Sequence, residues 1–185
     1  GIDDFIDFGT PALGTADFTI EWVAKRGGGT ANFRLQQHGD NSTTPNYTGW
    51  YFQITATGID FITVNNSTYK NSGWVGTPGT DWYYLAGKRA SGTGYLRVND
   101  TQQDTDLWDH DLSVNRSLRL GHFPYNGSNY YYNGYGDELR IWFEDKSDAW
   151  LKASHHSLFN TLVTIGSTET SVSFLANYLW WTGED

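Results

Sequence analysis

The segment 17–25, DFTIEWVAK, reads in period two, with Phe18, Ile20, Trp22 and Ala24 on one side and Thr19, Glu21 and Lys25 on the other. A helix turning once in about 3.6 residues would scatter those four apolar side chains, whereas an extended chain lines them on one face. Similar runs occupy 4–8, 31–37, 50–56, 59–64, 82–88, 95–99, 117–121 and 137–143. Between them stand Gly27-Gly28-Gly29, Thr57-Gly58, Thr77-Pro78-Gly79-Thr80, Ser91-Gly92-Thr93-Gly94 and Asn126-Gly127, the residues that turn a chain sharply. Many short strands in 185 residues predict one all-β domain, an antiparallel β-sandwich or a closed barrel. The 9 Trp, 12 Tyr and 10 Phe supply the large side chains that a pleated, half-buried surface prefers.

One helix interrupts this pattern near residues 147–158. Ser147 and Asp148 offer an N-cap, and Trp150, Leu151, Ser154 and Leu158 follow at helical spacing. It is expected to cover one end of the sandwich. The stretch 170–181 (TSVSFLANYLWW) alternates again and reads as a further strand appended to the domain.

Charge and composition exclude several classes of function. With 12 basic against 21 acidic residues the net charge is -9, so the surface repels polyanions and nucleic acid is not an expected partner. The absence of Cys removes disulfides, thiolate metal sites and thiol nucleophiles together. No apolar run approaches the roughly 20 residues that a membrane-spanning helix needs, so membrane insertion is not expected. A chain opening on Gly1 reads as a processed or excised product. Sequons for N-glycosylation occur at Asn41, Asn46, Asn65, Asn66, Asn99, Asn115 and Asn126, where chance alone predicts roughly two. Two readings fit: an exported glycoprotein, or turns rich in Asn, Ser and Thr that carry no glycan. Both place these segments in solvent.

Three segments carry a family resemblance. The opening IDFGTPALGTADFTIEWVAK looks like a first strand, a turn and a second strand that sends Trp22 into an inter-sheet core. Residues 81–100, DWYYLAGKRASGTGYLRVND, look like a central hairpin in which Asp100 stands where Gly is usual. Residues 118–142, LRLGHFPYNGSNYYYNGYGDELRIW, match a closing signature that ends in a DELRIW strand. Together these resemble the concanavalin A-like lectin/glucanase superfamily, in particular its laminin G-like and pentraxin-like jelly rolls. The resemblance implies a jelly-roll sandwich of the secreted, cell-surface or virion-surface kind. The fold itself hosts many unrelated activities.

Hydrolysis is not expected. Glycoside hydrolases of this superfamily carry a Glu-x-Asp-x-x-Glu series on one strand, whereas the five Glu here, at 21, 138, 144, 169 and 184, begin no such series. Neighbouring His155 and His156 are expected on different helix faces as surface residues rather than ligands. The metal expected is calcium, since loop carboxylates and carbonyls suit a hard cation. By resemblance Asp137 would hold it together with an acidic residue of the first strand, Asp3, Asp4 or Asp7; the alternative is that Asp137 caps a turn or pairs with Arg140. Sugar recognition requires aromatic faces flanked by amides. Tyr125, Tyr130, Tyr131 and Tyr132, interleaved with Asn129, have that chemistry, and Trp50, Trp74 and Trp108 lie near turns that would line the same edge. Two functions follow. One is a non-catalytic, extracellular carbohydrate-binding or adhesion module with a glycan as partner. The other is a structural subunit of a filament or of a viral capsid or tail decoration, whose partners are neighbouring protein subunits, including copies of itself, joined through exposed aromatics and the C-terminal strand.

Overall fold

The computed structural model describes residues 6–27, 33–38, 48–65, 68–113, 116–125, 128–131 and 133–159. In chain order the elements are β1 (Ile6–Asp7), β2 (Phe18–Arg26), β3 (Phe33–His38), β4 (Gly49–Ile54), β5 (Gly58–Asn65), β6 (Thr68–Val75), β7 (Trp82–Ala90), β8 (Thr93–Val98), β9 (Thr101–Leu107), β10 (Arg119–Leu120), β11 (His122–Tyr125), β12 (Ser128–Tyr131), β13 (Gly134–Trp142) and α1 (Asp148–Leu158). They form an antiparallel β-sandwich. A six-stranded sheet, β1-β10-β3-β4-β5-β6, faces a five-stranded one, β13-β2-β7-β8-β9, and β11 pairs with β12 in a separate hairpin.

The alternation read in segment 17–25 is realised in β2. Phe18, Ile20, Trp22 and Ala24 are buried between the sheets with Phe33 and Leu35 from β3, Trp50, Phe52 and Ile54 from β4, and Ile59 and Phe61 from β5. The aromatic rings interlock, with centroids 4.3 Å apart for Phe52 and Phe61, 4.7 Å for Phe61 and Trp108, and 5.3 Å for Trp22 and Phe33. Each such ring contributes about 1.5–3 kcal/mol by leaving water. Glycine makes room for them. A Cβ at Gly87 would sit 2.6 Å from the Phe61 ring, and one at Gly94 would lie 1.8 Å from the Trp108 indole. The β7–β8 hairpin closes through Ser91 and Gly92, both at positive φ (50° and 78°), as in the mirror-image turns whose twist suits paired strands.

Two expectations about tryptophan are corrected here. Trp50 is 0% exposed and donates from its indole nitrogen to the buried Gln37 Oε1 at 2.9 Å. Trp108, also 0% exposed, stacks on Phe18 at 6.3 Å. Neither presents a face to a ligand. Proximity to a turn in sequence placed them at an edge, but both side chains point between the sheets, where the largest voids need filling.

The helix begins where the sequence predicts, with Ser147 Oγ accepting from the Trp150 amide at 3.2 Å. Its position differs from the expectation. Rather than closing one end of the sandwich, α1 lies on the outer face of the five-stranded sheet, where Leu151 packs against Val23, Tyr84 and Ala86. A small polar cluster fastens it, because the Glu21 carboxylate, 1% exposed, accepts from Trp142 Nε1 (2.9 Å), Trp150 Nε1 (3.1 Å) and Ser154 Oγ (2.6 Å). The appended strand expected at 170–181 lies outside the described residues.

His110 adds a pH dependence to the fold. Its side chain lies beside Thr63 (Nδ1 to Oγ1 3.5 Å), and the residue is 7% exposed. Burial pulls its pKa below the ordinary 6.5, and Lys70 and Arg89 act in the same direction against Asp109 and Asp106. The unfolded chain therefore takes up this proton first as pH falls. Stability is lost from about pH 6.5 downward, and the loss is complete once the folded value is passed. Melting temperatures measured from pH 7.5 to pH 5 should fall more steeply in the parent than in His110→Gln; equal slopes would remove His110 as the cause.

Candidate functional site

The outer face of the six-stranded sheet offers polar groups already paired with one another. Asp60 accepts from Gln53 (2.8 Å) and Asn71 (3.3 Å), and Asp7 meets Arg119 at 3.4 Å. Tyr51 on this face is 6% exposed and has Arg34 over its ring at 4.7 Å; burial pushes its hydroxyl up to about 12. Its ring face is not open to a sugar. At the open edge between β1 and β13 lies a pocket of about 250 Å3 lined by Ile6, Phe8, Trp22, Leu120 and Leu139, with Asp137 and Glu138 at its polar side. Its walls are mainly apolar.

The outer face of the five-stranded sheet is different. Register places Tyr135 of β13 opposite Lys25 of β2, and Lys25 opposite Trp82 of β7, so these three residues form one row across adjacent strands. Directly paired residues share a face, and outward-pointing Val23 two positions along β2 fixes which face it is. Tyr135 is 60% and Trp82 40% exposed. Their ring centroids lie 6.4 Å apart at a tilt of 52°, on the strands either side of the half-buried Lys25. Asp137 is exposed and opposite Val23, and the exposed Asp81 directly precedes Trp82 in the chain. The arrangement presents two exposed aromatic rings in contact, with a lysine on the strand that separates theirs, the chemistry that stacks on an apolar face and fixes polar groups at its rim. A second exposed indole on this side, Trp150, is covered by Lys146 at 4.8 Å and tied to Glu21, so it serves the helix.

Sequence reasoning missed Trp82 and Tyr135. The signal was present, since Trp82 shares the parity of Tyr84, Ala86 and Lys88 on β7. It was masked because the other parity of that strand, Tyr83, Leu85 and Gly87, is as apolar. Of the residues named from sequence, Trp74 is half-buried and packs against Tyr83 at 6.3 Å. Tyr125, Asn129, Tyr130 and Tyr131 lie on the β11–β12 hairpin, where Tyr130 pairs with Phe123 and Asn129 with Pro124 through the backbone. Their side chains, and Tyr132 altogether, lie outside the described residues. Among the sequons, Asn65 ends β5 and Asn99 occupies the β8–β9 turn with φ of 53°, its Oδ1 accepting from the Tyr84 amide at 3.0 Å. Asn41, Asn46, Asn66, Asn115 and Asn126 fall outside the described residues.

The calcium ligands expected from the resemblance do not assemble among the described residues. Asp7 lies between Ile6 and Phe8, which line the edge pocket with Asp137, but its own carboxylate turns the other way, to Arg119 and to the Gly9 amide at 2.9 Å. The Asp137 Oδ1 accepts from the neighbouring Glu138 amide at 2.8 Å, and Arg140 pairs with Glu138 at 2.9 Å instead of with Asp137. Asp3 and Asp4 lie outside the described residues. Asp7 and Asp137 therefore engage separate partners. His155 and His156 also depart from expectation, since both reach the Asp100 carboxylate, at 2.8 Å and 3.1 Å.

No protein-family model and no curated protein matches the sequence. Solved structures do match in fold. The CBM40 of the Ruminococcus gnavus IT-sialidase, bound to α2,3-sialyllactose, superposes with a TM-score of 0.63 at 17% identity over 77% of this chain and 84% of that one. The binding domain of botulinum neurotoxin serotype D gives 0.63 at 11% identity over 83% of this chain but 40% of its own. The binding domain of botulinum neurotoxin DC, in complex with SialylT, gives 0.58 at 12% identity over 78% of this chain and 36% of that one. The chain thus shares a lectin-like β-sandwich with these proteins and spans well under half of the toxin domains. No helix among the described residues is long and apolar enough to cross a membrane.

Proposed function

We propose that the chain is a non-catalytic, extracellular glycan-binding module of the concanavalin A-like, laminin G-like kind, and that Trp82 and Tyr135 form its stacking platform. The observation that carries this reading is the tilted, solvent-open pair of aromatic rings on the two strands that flank Lys25, two exposed rings in mutual contact on one face of the sandwich. A pyranose stacks its C–H face on one ring and meets the second ring at its edge, while Lys25, Asp137 and Asp81 select among its polar groups. Lys25, on the strand between those that carry the rings, suits an acidic sugar, and the sialyllactose bound by the structurally similar sialidase CBM40 supports the same reading. An adhesion role on a cell or virion surface is the setting that such a module serves.

Titration calorimetry with α2,3-sialyllactose and with neutral lactose, preceded by a glycan array, tests this. Trp82→Ala and Tyr135→Ala should each weaken binding roughly 5- to 30-fold, or about 1–2 kcal/mol. Both residues are exposed, so stability should move by no more than about 0.5 kcal/mol. Lys25→Ala should weaken the sialylated ligand more than lactose. A flat response to every glycan refutes the reading, and loss of binding confined to Tyr130→Ala and Tyr131→Ala transfers the site to the β11–β12 hairpin.

A further inference from the structure

Adjacent residues on a helix diverge by about 100°, so His155 and His156 should not share a target. They do so by using different ring nitrogens. His155, which starts closer to the sheet, presents its near nitrogen, Nδ1, to Asp100 Oδ1 at 2.8 Å; His156 presents its far nitrogen, Nε2, to Asp100 Oδ2 at 3.1 Å. The three donor atoms converge, with no pair more than 4.8 Å apart. Among the described residues this is the group of three or more histidine and acidic side chains that comes together in this way.

The surroundings hold these donors in place. Asp100 sits in the β8–β9 turn, whose Asn99 exchanges two hydrogen bonds with Tyr84, from its own amide to the Tyr84 carbonyl (2.8 Å) and from the Tyr84 amide to its side chain (3.0 Å). The Arg97 guanidinium donates to the Asp100 carbonyl. The His155 ring lies against Tyr84 at 5.5 Å and Phe159 at 5.1 Å. Such supporting contacts are what orient metal ligands and keep them from relaxing away. The side chains of His155, His156 and Asp100 are 13%, 34% and 44% exposed, which leaves a path for an ion from solvent.

From this geometry we infer that Asp100, His155 and His156 bind a divalent transition cation of the zinc class. Bonds of about 2.0–2.1 Å in a tetrahedron place ligand atoms about 3.4 Å from one another. The two carboxylate–imidazole separations need to open by only a few tenths of an ångström, and the imidazoles need to close toward each other by rotation at the end of α1. Two imidazoles and one carboxylate suit zinc, copper or nickel, not calcium or magnesium, which take oxygen. Three protein ligands leave the fourth position to water. The ion ties the last turn of α1 to the β8–β9 turn, two elements far apart in sequence, and stabilises the folded chain by an amount that rises with the logarithm of its free concentration above Kd.

The test uses the full chain, stripped with a chelator and titrated with zinc chloride at pH 7.5, with calcium and magnesium chloride in parallel. One zinc per chain and a rise in melting temperature are expected, with no response to calcium or magnesium. His156→Gln alters a side chain one-third exposed and should weaken zinc at least about 10-fold, as should Asp100→Asn. Nitrogen-15 spectra of the parent imidazoles give a readout independent of any variant: zinc should shift the resonances of His155 and His156 and leave those of His38, His110 and His122 in place. Binding that is not 1:1, an affinity in either variant equal to the parent's, or zinc shifts at the other three histidines would overturn the assignment.

Discussion

Arg89→Ala should cost the domain about 3–5 kcal/mol, because it strips a charged, fivefold donor from a dry site and takes that donor from the carbonyls of Ala16 and His110. Arg89 is 2% exposed at the inner end of β7. Its Nε donates to the Ala16 carbonyl (2.9 Å), while the two terminal nitrogens reach the carbonyls of His110 (2.7 Å) and Gly14 (2.8 Å). The guanidinium also lies 5.0 Å from the centre of the Phe18 ring. Two irregular segments, around residues 14–16 and around 110, have few backbone partners of their own apart from the bridge between Gly14 and Leu112. The side chain stands in for the ladder they lack. Thermal unfolding should show a fall of roughly 10 °C for a domain of this size, with Arg89→Lys intermediate because one ammonium cannot span three carbonyls. A loss below about 1 kcal/mol would mean that both segments hold their course without it.

The second large effect is expected at Glu21. Its carboxylate collects two indole N–H groups and the Ser154 hydroxyl under α1, with Arg140 3.7 Å away. Glu21→Ala removes the acceptor that these donors share and leaves Arg140 without its buried counter-charge, at a cost of about 2–4 kcal/mol. The loss should be local as well as global. Trp142 and Trp150, whose rings meet edge to face at 5.7 Å, should shift their fluorescence to the red, and protease should cut near residues 143–159 before the sandwich melts. Unchanged emission together with an unchanged melting temperature would show that Leu151 and its apolar neighbours dock the helix by themselves.

How much of this was legible beforehand depended on whether a segment buries one face. β2, β4, β5 and β7 do, and their apolar side chains announce strands. β6 and β9 do not: TQQDTDL in β9 is mostly exposed along its whole length, and β6 buries little besides Ser72. These edge strands are held by backbone pairing to β8 and β5, which leaves almost no mark on side-chain pattern. The acidic stretch 100–111 therefore looks like a solvated hairpin in sequence, although most of it is strand and its Asp106 reaches across to the Asn71 amide of β6 at 2.9 Å. The candidate site followed the same rule. Thirty-one aromatic side chains are interchangeable in composition, and only register separates Trp50 and Trp108, turned inward, from Trp82 and Tyr135, turned out.

The amino-acid order alone determined that this chain is a β-sandwich with one capped helix, because period-two burial and a Ser N-cap are local properties that each segment carries with it. Which surface works was decided by tertiary structure. The Tyr135, Lys25 and Trp82 row joins three strands, and the Asp100, His155 and His156 group joins a turn to a helix far along the chain. Such neighbours are made by strand pairing and helix docking between distant segments, so no local pattern in the sequence encodes them.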